Sequence, residues 1–441
     1  MPAASQPFQA PSGTSDVLAP ESGRWQALLE RFAGLAERAG YGFALLPAFE
    51  DLGVFVRGIG ESTDIVTHEM YDFDDKGGRR LALRPELTAS MVRAFIQHRP
   101  VLPWKAWCWG PVFRYERPQA GRYRQFHQLD VEVLGTEDPE LDVEVIALAW
   151  RFYEALGLTR LRLDVNSLGD GECRPAYRSA LVAWLEPRAG ELCPEHQDRW
   201  RLNPLRVLDC KREACREVTG GAPRQLDHLC VACAAHWEAV LGGLDALGIG
   251  CRVQPRLVRG IDYYTRTTFE VAAEALGSAQ DAVGGGGRYD GLVEALGGPP
   301  TAGIGFALGV ERVLLACDAE GAFPAPGPAV VAFVVDLTGG RAALELTHEL
   351  RAAGVAADRA FDSRSIRAQL KAADRSGADI ALIVGPDEAE NGTVTLRRLR
   401  GHDGSGGAGD DQVQETVGRR EVVARVAEAL RARPPTAQAA P

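Results

Sequence analysis

Hydrophobic residues recur at helical spacing close to the start of the chain. Within residues 21–39 the apolar positions that would share one face are Trp25, Leu28, Leu29, Phe32, Leu35 and Ala36. Intervals of three and four residues predict an amphipathic helix, and Gly40 ends the pattern. The next stretch, GFALLPAFED at 42–51, predicts a strand that ends at Pro47.

Polar and apolar residues alternate in residues 106–135, which read AWCWGPVFRYERPQAGRYRQFHQLDVEVLG. A polar loop divides the segment into two strands, which predicts a β-hairpin. Since side chains alternate across a strand, the second strand has a polar and an apolar face. The polar face holds Gln128, Asp130 and Glu132, and the apolar face holds Leu129, Val131 and Val133. The polar face therefore points into a cleft or into water.

Glycine, proline and charged residues cluster in four shorter segments. These are LRPELT at 83–88, LVRGIDYYTRTTFE at 257–270, AVGGGGRYDGL at 282–292 and GIGFALGVERVLLA at 303–316. The first predicts a helix N-terminus with a capping threonine and an acid in its first turn. Alternation in the second places Asp262, Tyr264 and Arg266 on one strand face, with Arg259 at its entry.

The last of these segments predicts a short strand followed by a helix that begins near Gly309. Arg312 then lies in the first helical turn, where a cation opposes the helix dipole unless an anion is close. Neither GxxxxGK[ST] nor a strand-linked GxGxxG occurs in the chain. The glycines therefore do not form a P-loop or a dinucleotide fingerprint.

The order of these patterns divides the chain. Residues 168–250 are helical in pattern and interrupt two strand-rich stretches, so we expect a first domain of 1–167 and 251–320 with a helical insertion at 168–250. GAFPAPGPA at 321–329 is typical of a linker. Strands and helices then alternate over 329–432, which predicts an α/β domain with a partly parallel sheet. We expect the loop at 401–411 to be mobile and the tail at 433–441 to be disordered.

Composition restricts the class of protein. A chain of 441 residues with 46% hydrophobic residues can bury more than one core. It lacks an apolar run long enough for a membrane span and a signal-peptide pattern, so we expect no membrane association and a cytoplasmic location. The net charge of −11 neither indicates nor excludes a nucleic-acid partner, because local fields decide binding.

Cysteines are concentrated in the predicted insertion. Nine cysteines without a secretory signal favour reduced thiols or a metal site over a disulfide framework. The insertion holds Cys193, His196, Cys210, Cys215, Cys230 and Cys233, with His236 following. This spacing resembles that of structural zinc ligands, and it is also what a degenerate site with buried or surface thiols would show. The pattern assigns no metal ligand, and both interpretations stay open.

The hairpin sequence FRYERPQAGRYRQFHQ, together with LVRGIDYYTRTTFE and AVGGGGRYDGL, resembles motif 2 and the two signature motifs of the histidyl-tRNA synthetases, a class II aminoacyl-tRNA synthetase family. The first helix and strand resemble motif 1, and GIGFALGVERVLLA resembles motif 3. The resemblance covers residues 8–432. It implies an α+β fold in which an antiparallel sheet is flanked by helices, with a helical insertion, a C-terminal α/β anticodon-binding domain and a homodimer formed around motif 1.

The resemblance also implies a reaction. Histidine is activated with ATP and Mg²⁺ to histidyl-adenylate, and the histidyl group is transferred to the 3′ end of tRNA(His). Arg259 and Arg114 would be catalytic, contacting the α-phosphate. The residues implied for ATP binding are Arg114, Glu116, Arg122, Phe126 and Arg312.

The same carry-over implies an L-histidine pocket and a tRNA contact. Residues implied for histidine are Glu86, Thr88, Gln128, Glu132, Tyr263, Tyr264 and Arg259. Glu132 and Tyr264 would contact the two ring nitrogens of the imidazole, which offers one donor and one acceptor. Arg288 and Tyr289 would complete the glycine-rich wall. Arg117 and Gln119 would contact the tRNA. Asp130 stands where many relatives have glycine, which affects only local packing.

One related function competes with this interpretation. The non-catalytic regulatory subunit of ATP phosphoribosyltransferase has the same catalytic fold and binds histidine without charging tRNA. It lacks the C-terminal domain, whereas SRSIRAQLKAADRSGA at 363–378 lies here in a complete α/β pattern. It also often lacks the arginines that correspond to Arg114, Arg259 and Arg312. We therefore favour the enzyme.

Overall fold

A computed structural model describes residues 8–61, 63–277, 281–327, 330–362, 364–399 and 414–431, with side chains to residue 428. The chain forms two compact units, Met1–Pro324 and Ala325–Pro441. The loop at 401–411 and the tail at 433–441, for which we predict mobility and disorder, lie outside the described residues.

An eight-stranded sheet forms the centre of the first unit, in the order β1-β5-β6-β11-β10-β9-β7-β8. All inner pairs are antiparallel, and only the edge pairs β1/β5 and β7/β8 are parallel. A separate antiparallel sheet has the order β2-β4-β3. The strands are β1 (Gly42–Phe43), β2 (Phe49–Asp51), β3 (Asp72–Asp74), β4 (Arg80–Leu83), β5 (Trp104–Phe113), β6 (Gln125–Leu134), β7 (Leu161–Ser167), β8 (Arg252–Val253), β9 (Thr265–Ala273), β10 (Ala282–Arg288) and β11 (Gly303–Gly309).

Helices cover this sheet and fill the insertion. They are α1 (Glu21–Arg38), α2 (Leu52–Ile59), α3 (Thr88–His98), α4 (Pro139–Ala155), α5 (Arg174–Leu185), α6 (Pro194–Arg199), α7 (Leu205–Asp209), α8 (Glu213–Thr219), α9 (Val231–Ala246), α10 (Leu292–Ala295) and α11 (Val310–Glu320). Short 3₁₀ segments lie at Glu186–Glu191 and Gln225–His228, and a π-helical turn lies at Ile65–Glu69.

The main core lies between the apolar face of the sheet and helices α1, α4, α9 and α11. Leu129, Val131 and Val133 of β6 are buried in this core with Phe32 and Phe152, as the alternation predicts. Because the alternate residues of β6 point away from this core, Gln128, Asp130 and Glu132 lie on the opposite face of the sheet. That face is where the cleft forms.

The insertion is helical, as the pattern predicts, but its parts belong to different cores. Residues of α5, α7 and α8 form a small cluster of their own around Leu181, Leu185 and Val207. In contrast, Trp237, Val240 and Leu244 of α9 are buried in the main core.

The second unit is an α/β domain, also as predicted. Its sheet has the order β13-β12-β14-β15-β16, with β12 parallel to β13 and β14, and the remaining pairs antiparallel. The strands are β12 (Ala332–Asp336), β13 (Ala357–Arg359), β14 (Ile380–Val384), β15 (Thr393–Arg398) and β16 (Gln414–Gly418). The helices are α12 (Arg341–Ala352), α13 (Ile366–Arg375), α14 (Pro386–Asn391) and α15 (Val422–Arg431).

Two strand predictions are wrong. The strand expected from Gly42 to Pro47 is shorter, because pairing in β1 ends at Phe43, and a separate strand β2 starts only at Phe49. The strand expected from Arg259 starts at Thr265, so alternation does not place Asp262 and Tyr264 on a common face with Arg266. Tyr264 instead lies between a turn at residues 262–263 and the strand, and Arg266 has a φ of 46°.

Within the described part of the chain, no helix has both the length and the apolar character needed to cross a bilayer.

Candidate active site

A cleft with an empty volume of about 800 Å³ lies on the polar face of the central sheet. Its wall includes arginines and glutamates from segments far apart in sequence. The arginines are Arg114, Arg122, Arg259 and Arg312, and the glutamates are Glu116, Glu270 and Glu311. The sheet order explains this meeting, because β6, β11, β10 and β9 are adjacent while their flanking loops come from both halves of the first unit.

Main-chain oxygens hold two of these arginines in place. Arg114 directly follows β5, and its Nε donates to the carbonyl of Pro85 at 3.0 Å. Arg312 lies in the first turn of α11, and its Nε and Nη1 donate to Gly121 at 2.9 Å and to Ala282 at 3.1 Å. These bonds leave the guanidinium charges without a carboxylate partner.

The charges in the cleft are only partly balanced. Arg122 pairs with Glu116 at 3.2 Å, and Arg259 pairs with Glu270 at 2.6 Å. Among the described residues Arg114 and Arg312 form no salt bridge within 4.0 Å. Burial, and next the positive charge of Arg122, lower the pKa of Arg312. An excess of positive charge in a cleft of this size suits a polyphosphate.

Phe126 and Gln128 give the same cleft one apolar and one polar position. The Phe126 ring lies 5.4 Å from the Arg114 guanidinium, measured to the ring centroid. Oε1 of Gln128 is buried and has no hydrogen-bond partner among the described residues. A buried acceptor without a partner is costly, so a donor from a ligand would stabilise it.

Glu132 is the centre of a deeper polar cluster. It is 1% exposed, and it accepts hydrogen bonds from the Thr88 hydroxyl at 2.6 Å and from the Tyr289 hydroxyl. Burial raises the pKa of Glu132 to about 8, against the lowering effect of these two hydrogen bonds. A glycine makes room for it, since a Cβ on Gly305 would lie 1.7 Å from the Glu132 carboxylate.

Glu86, and not Thr88 as the sequence predicts, caps the N-terminus of α3. Glu86 caps α3, because its carboxylate accepts from the backbone N–H of Thr88 at 2.8 Å and of Ala89 at 2.9 Å. Burial is the main cause that raises the pKa of Glu86. The Thr88 side chain does not cap the helix and contacts Glu132 instead. Both residues therefore lie at the cluster, with Glu86 fixed by the helix start.

Aromatic rings enclose this cluster. The ring centroids of Tyr263 and Tyr264 are 4.7 Å apart, and those of Tyr263 and Tyr289 are 5.5 Å apart. Burial raises the pKa of Tyr263 and of Tyr264, so both phenols stay neutral. The result is a small pocket with carboxyl, hydroxyl and aromatic walls, suited to a planar polar group.

The glycine run of β10 brings its backbone against the site. A Cβ on Gly285 would lie 2.7 Å from Nη1 of Arg259, and a Cβ on Gly287 would lie 3.0 Å from the Tyr264 ring. Contacts this short leave no space for a side chain. The glycines are therefore required by the close approach of the β9 backbone at Phe269 and Thr267, and also of Arg259 and Tyr264.

Arg288 does not line the pocket, contrary to the sequence interpretation. It is fully buried and forms an ion pair with Asp142, whose other partner is His236 at 2.8 Å. Tyr289 does reach the site, through its hydroxyl on Glu132. Since a strand turns successive side chains to opposite faces, only one of the two neighbours could do so.

Two carboxylates of the cleft were not identified from the sequence, and Asp130 was expected to affect only local packing. Glu270 pairs with Arg259, and Glu311 accepts from the backbone N–H of His127 at 3.0 Å. Asp130 is completely buried, and burial raises the pKa of this residue well above its usual value. Alternation along β9 could have shown Glu270, because it follows Thr268 at an interval of two on the same strand.

Arg117 and Gln119 are exposed in the loop between β5 and β6 and do not line the cleft. The backbone of Gln119 pairs with the backbone of Arg122 in that loop. Their contact with tRNA stays a prediction.

Comparison with known proteins gives a consistent result. A sequence profile described as "Histidyl-tRNA synthetase" matches residues 13–171 and 193–313, and one described as "Anticodon binding domain" matches residues 329–429. The histidine–tRNA ligase of Rhodococcus erythropolis is 51% identical over 397 residues, which cover 89% of this chain and 93% of that protein. The histidine–tRNA ligase of Desulforudis audaxviator is 49% identical over 422 residues, with coverage of 94% and 97%.

A solved structure agrees with both profiles. Apo histidyl-tRNA synthetase from S. aureus matches with a TM-score of 0.79 at 36% identity, over 95% of this chain and 99% of that chain. The antiparallel sheet with its arginine-lined face defines a class II aminoacyl-tRNA synthetase. Within that class, the chain belongs to the histidyl-tRNA synthetase family.

Proposed function

We propose that the cleft binds ATP and L-histidine and joins them, and that the enzyme then charges tRNA(His). A histidine carboxylate oxygen attacks the α-phosphorus, the new P–O bond forms, and the bond to pyrophosphate breaks. Negative charge increases on the phosphate oxygens as this happens. The observation that carries the proposal is the meeting of Arg114, Arg259 and Arg312 in one cleft beside the Glu132 pocket.

The arginines stabilise the transition state in this proposal. Arg259 and Arg114 contact the α-phosphate, and Arg312 contacts the distal phosphates. Arg122 and Glu116 hold the nucleotide, and the Phe126 ring stacks on adenine. Because backbone carbonyls already fix Arg114 and Arg312, little reorganisation is needed when charge develops.

Histidine recognition depends on the enclosed pocket. Glu132 and Tyr264 contact the two ring nitrogens, while Tyr263, Thr88, Glu86 and Gln128 bind the rest of the amino acid. An apolar side chain of similar size would form no hydrogen bond with Glu132 or Tyr264 and would cover the polar groups of the pocket without satisfying them. This cost would discriminate histidine from apolar amino acids of similar size.

Mg²⁺ fits the cleft because oxygen ligands are present beside the proposed phosphate site. Glu270 and Glu311 would supply carboxylates, since Mg²⁺ usually combines one or two carboxylates with substrate phosphates. When bound, it neutralises charge on the leaving pyrophosphate.

The second step transfers the histidyl group to tRNA. A hydroxyl of the terminal adenosine attacks the carbonyl carbon of the adenylate, and AMP leaves. We propose that the second unit binds the anticodon region and that Arg117 and Gln119 contact the tRNA from their exposed loop. We also propose that the enzyme is a homodimer located in the cytoplasm.

The regulatory-subunit alternative is less supported. The 329–429 match to an anticodon-binding domain and the three retained arginines both favour the enzyme. A charging assay separates the two functions, using radiolabelled histidine, ATP, Mg²⁺ and total bacterial tRNA. We expect acid-precipitable label that requires ATP and this chain. Histidine binding without any charging would overturn the proposal.

A further inference from the structure

The cysteines of the insertion form two separate clusters, not the single set that their order in the sequence suggests. The first cluster is Cys193, His196, Cys210 and Cys215, and the second is Asp170, Cys173, Cys230 and Cys233. In each cluster the four potential ligand atoms all lie within 4.8 Å of one another. His236 belongs to neither, since its Nε2 contacts Asp142.

Distances in the first cluster match those around a tetrahedral ion. Sγ of Cys193 lies 3.2 Å from Nδ1 of His196 and 3.9 Å from Sγ of Cys210, and Sγ of Cys215 lies 3.7 Å from the same nitrogen. Ligands at about 2.3 Å from one zinc ion would be separated by about 3.8 Å at tetrahedral angles. A disulfide would need sulfurs about 2.05 Å apart, and all nine cysteines are free.

The second cluster has the backbone hydrogen bonds that orient metal ligands. The N–H of Cys230 donates to Sγ of Cys173 at 3.0 Å, and the N–H of Cys233 approaches Sγ of Cys230 at 3.5 Å. Oδ1 of Asp170 accepts from the N–H of Cys173 at 3.2 Å. Bonds of this kind fix ligand orientation in metal sites. Asp170 also lies 3.8 Å from Arg266, measured between Oδ2 and Nη2.

Cross-links of this kind would stabilise the insertion. Helices α6, α7 and α8 have five to seven residues each, which is too short to be stable alone in water. Their shared core is small, and Cys193 and Cys215 are buried within it. A metal ion bound by four side chains can supply the missing folding free energy.

We propose that the insertion binds two structural Zn²⁺ ions, one held by Cys193, His196, Cys210 and Cys215 and one by Asp170, Cys173, Cys230 and Cys233. Three sulfurs with one nitrogen form a known structural zinc set, and a carboxylate oxygen, which the second cluster offers beside its three sulfurs, is also a zinc ligand. The first ion ties α6 to the segment from α7 to α8. The second ties the end of β7 to the start of α9, next to the segment that carries Tyr264, whose carbonyl accepts from Arg174. This inference goes beyond the proposed function and does not depend on it.

Elemental analysis of the full chain, purified without chelator from cells grown with added zinc, tests both sites. We expect two zinc ions per chain for the wild type. Cys193→Ser and Cys233→Ser should each remove one ion, while the control Cys251→Ser, outside both clusters, should keep two. Cobalt(II) loaded in place of zinc should give the intense visible bands of tetrahedral thiolate coordination.

The wild-type measurement does not depend on whether a variant folds. A zinc content near zero, with all six insertion cysteines reacting rapidly with a thiol reagent in the folded protein, would overturn both sites. If the wild type holds only one zinc ion, the two variants show which site is wrong. The site whose cysteine can be changed to serine without loss of that ion is overturned.

Discussion

At the scale of single residues, the structure separates what a sequence pattern can assign from what needs three-dimensional contacts. The alternation along β6 is sufficient to place Gln128 and Glu132 on the polar face. It cannot show that the Thr88 hydroxyl bonds to Glu132, because 44 positions separate the two residues. The sequence therefore does not show that Glu86 caps α3 in place of Thr88.

The role of Arg259 leads to the first prediction. Arg259→Ala should slow adenylate formation by an amount equal to about 2 to 4 kcal/mol of lost transition-state stabilisation, because the donor proposed for the α-phosphate is removed. ATP–pyrophosphate exchange measures this directly. Arg151→Ala, a change on an exposed face of α4, is the matched control and should behave like the wild type. Unchanged exchange in Arg259→Ala would remove its assigned role.

The raised pKa of Glu132 predicts that the free energy of unfolding depends on pH. Its native pKa of about 8 lies above the ordinary value of 4.5, so the folded protein keeps a proton that the unfolded chain releases. The carboxyl therefore destabilises the histidine-free protein increasingly as pH rises from about 4.5 to 8. Glu132→Gln should be close to the wild type at pH 5 and more stable by roughly 1–3 kcal/mol at pH 8.

Urea unfolding at both pH values, without histidine, measures that difference, with the exposed Glu238→Gln as control. An equal difference between Glu132→Gln and wild type at pH 5 and pH 8 would show that Glu132 does not titrate as described.

At the scale of elements, periodicity predicted helix α1, the β5–β6 hairpin and the strand–helix step at α11. It failed where pairing or a turn decides the conformation. Residues 44–48 have the composition of a strand but leave the sheet after Phe43, and the segment before Thr265 turns instead of extending. Pro47 signals the end of the first strand but not how early its pairing stops, and the alternation before Thr265 gives no sign of the turn.

Gly305 of β11 tests whether tight packing between strands positions the Glu132 carboxylate. Gly305→Ala should displace the Glu132 carboxylate, lower kcat/KM for histidine about 100-fold, and destabilise the fold by roughly 1–3 kcal/mol. Gly242→Ala in α9, where a Cβ meets nothing within 4 Å, is the control. Steady-state exchange kinetics and thermal unfolding provide the two readouts. Normal histidine kinetics in Gly305→Ala would contradict the packing argument.

At the scale of the whole molecule, alternating strand and helix patterns predicted the second unit, and the sequence motifs predicted the central sheet. The division of the insertion could not be predicted. Its helix α9 packs in the main core while α5 to α8 form their own cluster, and the six cysteines separate accordingly into two groups. Spacing along the chain cannot show which side chains the helices bring together.

Exposed apolar residues around β1 and β2 support the proposed homodimer. Phe43, Leu45 and Phe49 are 51%, 81% and 51% exposed, which is unusual for neighbouring large apolar side chains on a monomer surface. We expect a mass near twice 47.5 kDa in sedimentation equilibrium, and a shift toward one chain for Leu45→Glu. Leu344→Glu, at an exposed apolar position of α12, should remain dimeric. A monomeric wild type would contradict the proposal.

The central claim is that arginines from separate segments activate one amino acid whose imidazole fits the Glu132 pocket. ATP–pyrophosphate exchange measured with each of the amino acids in turn tests it most directly. We predict exchange that is stimulated by histidine and by no other amino acid. Equal stimulation by several amino acids, or none by histidine, would contradict the account.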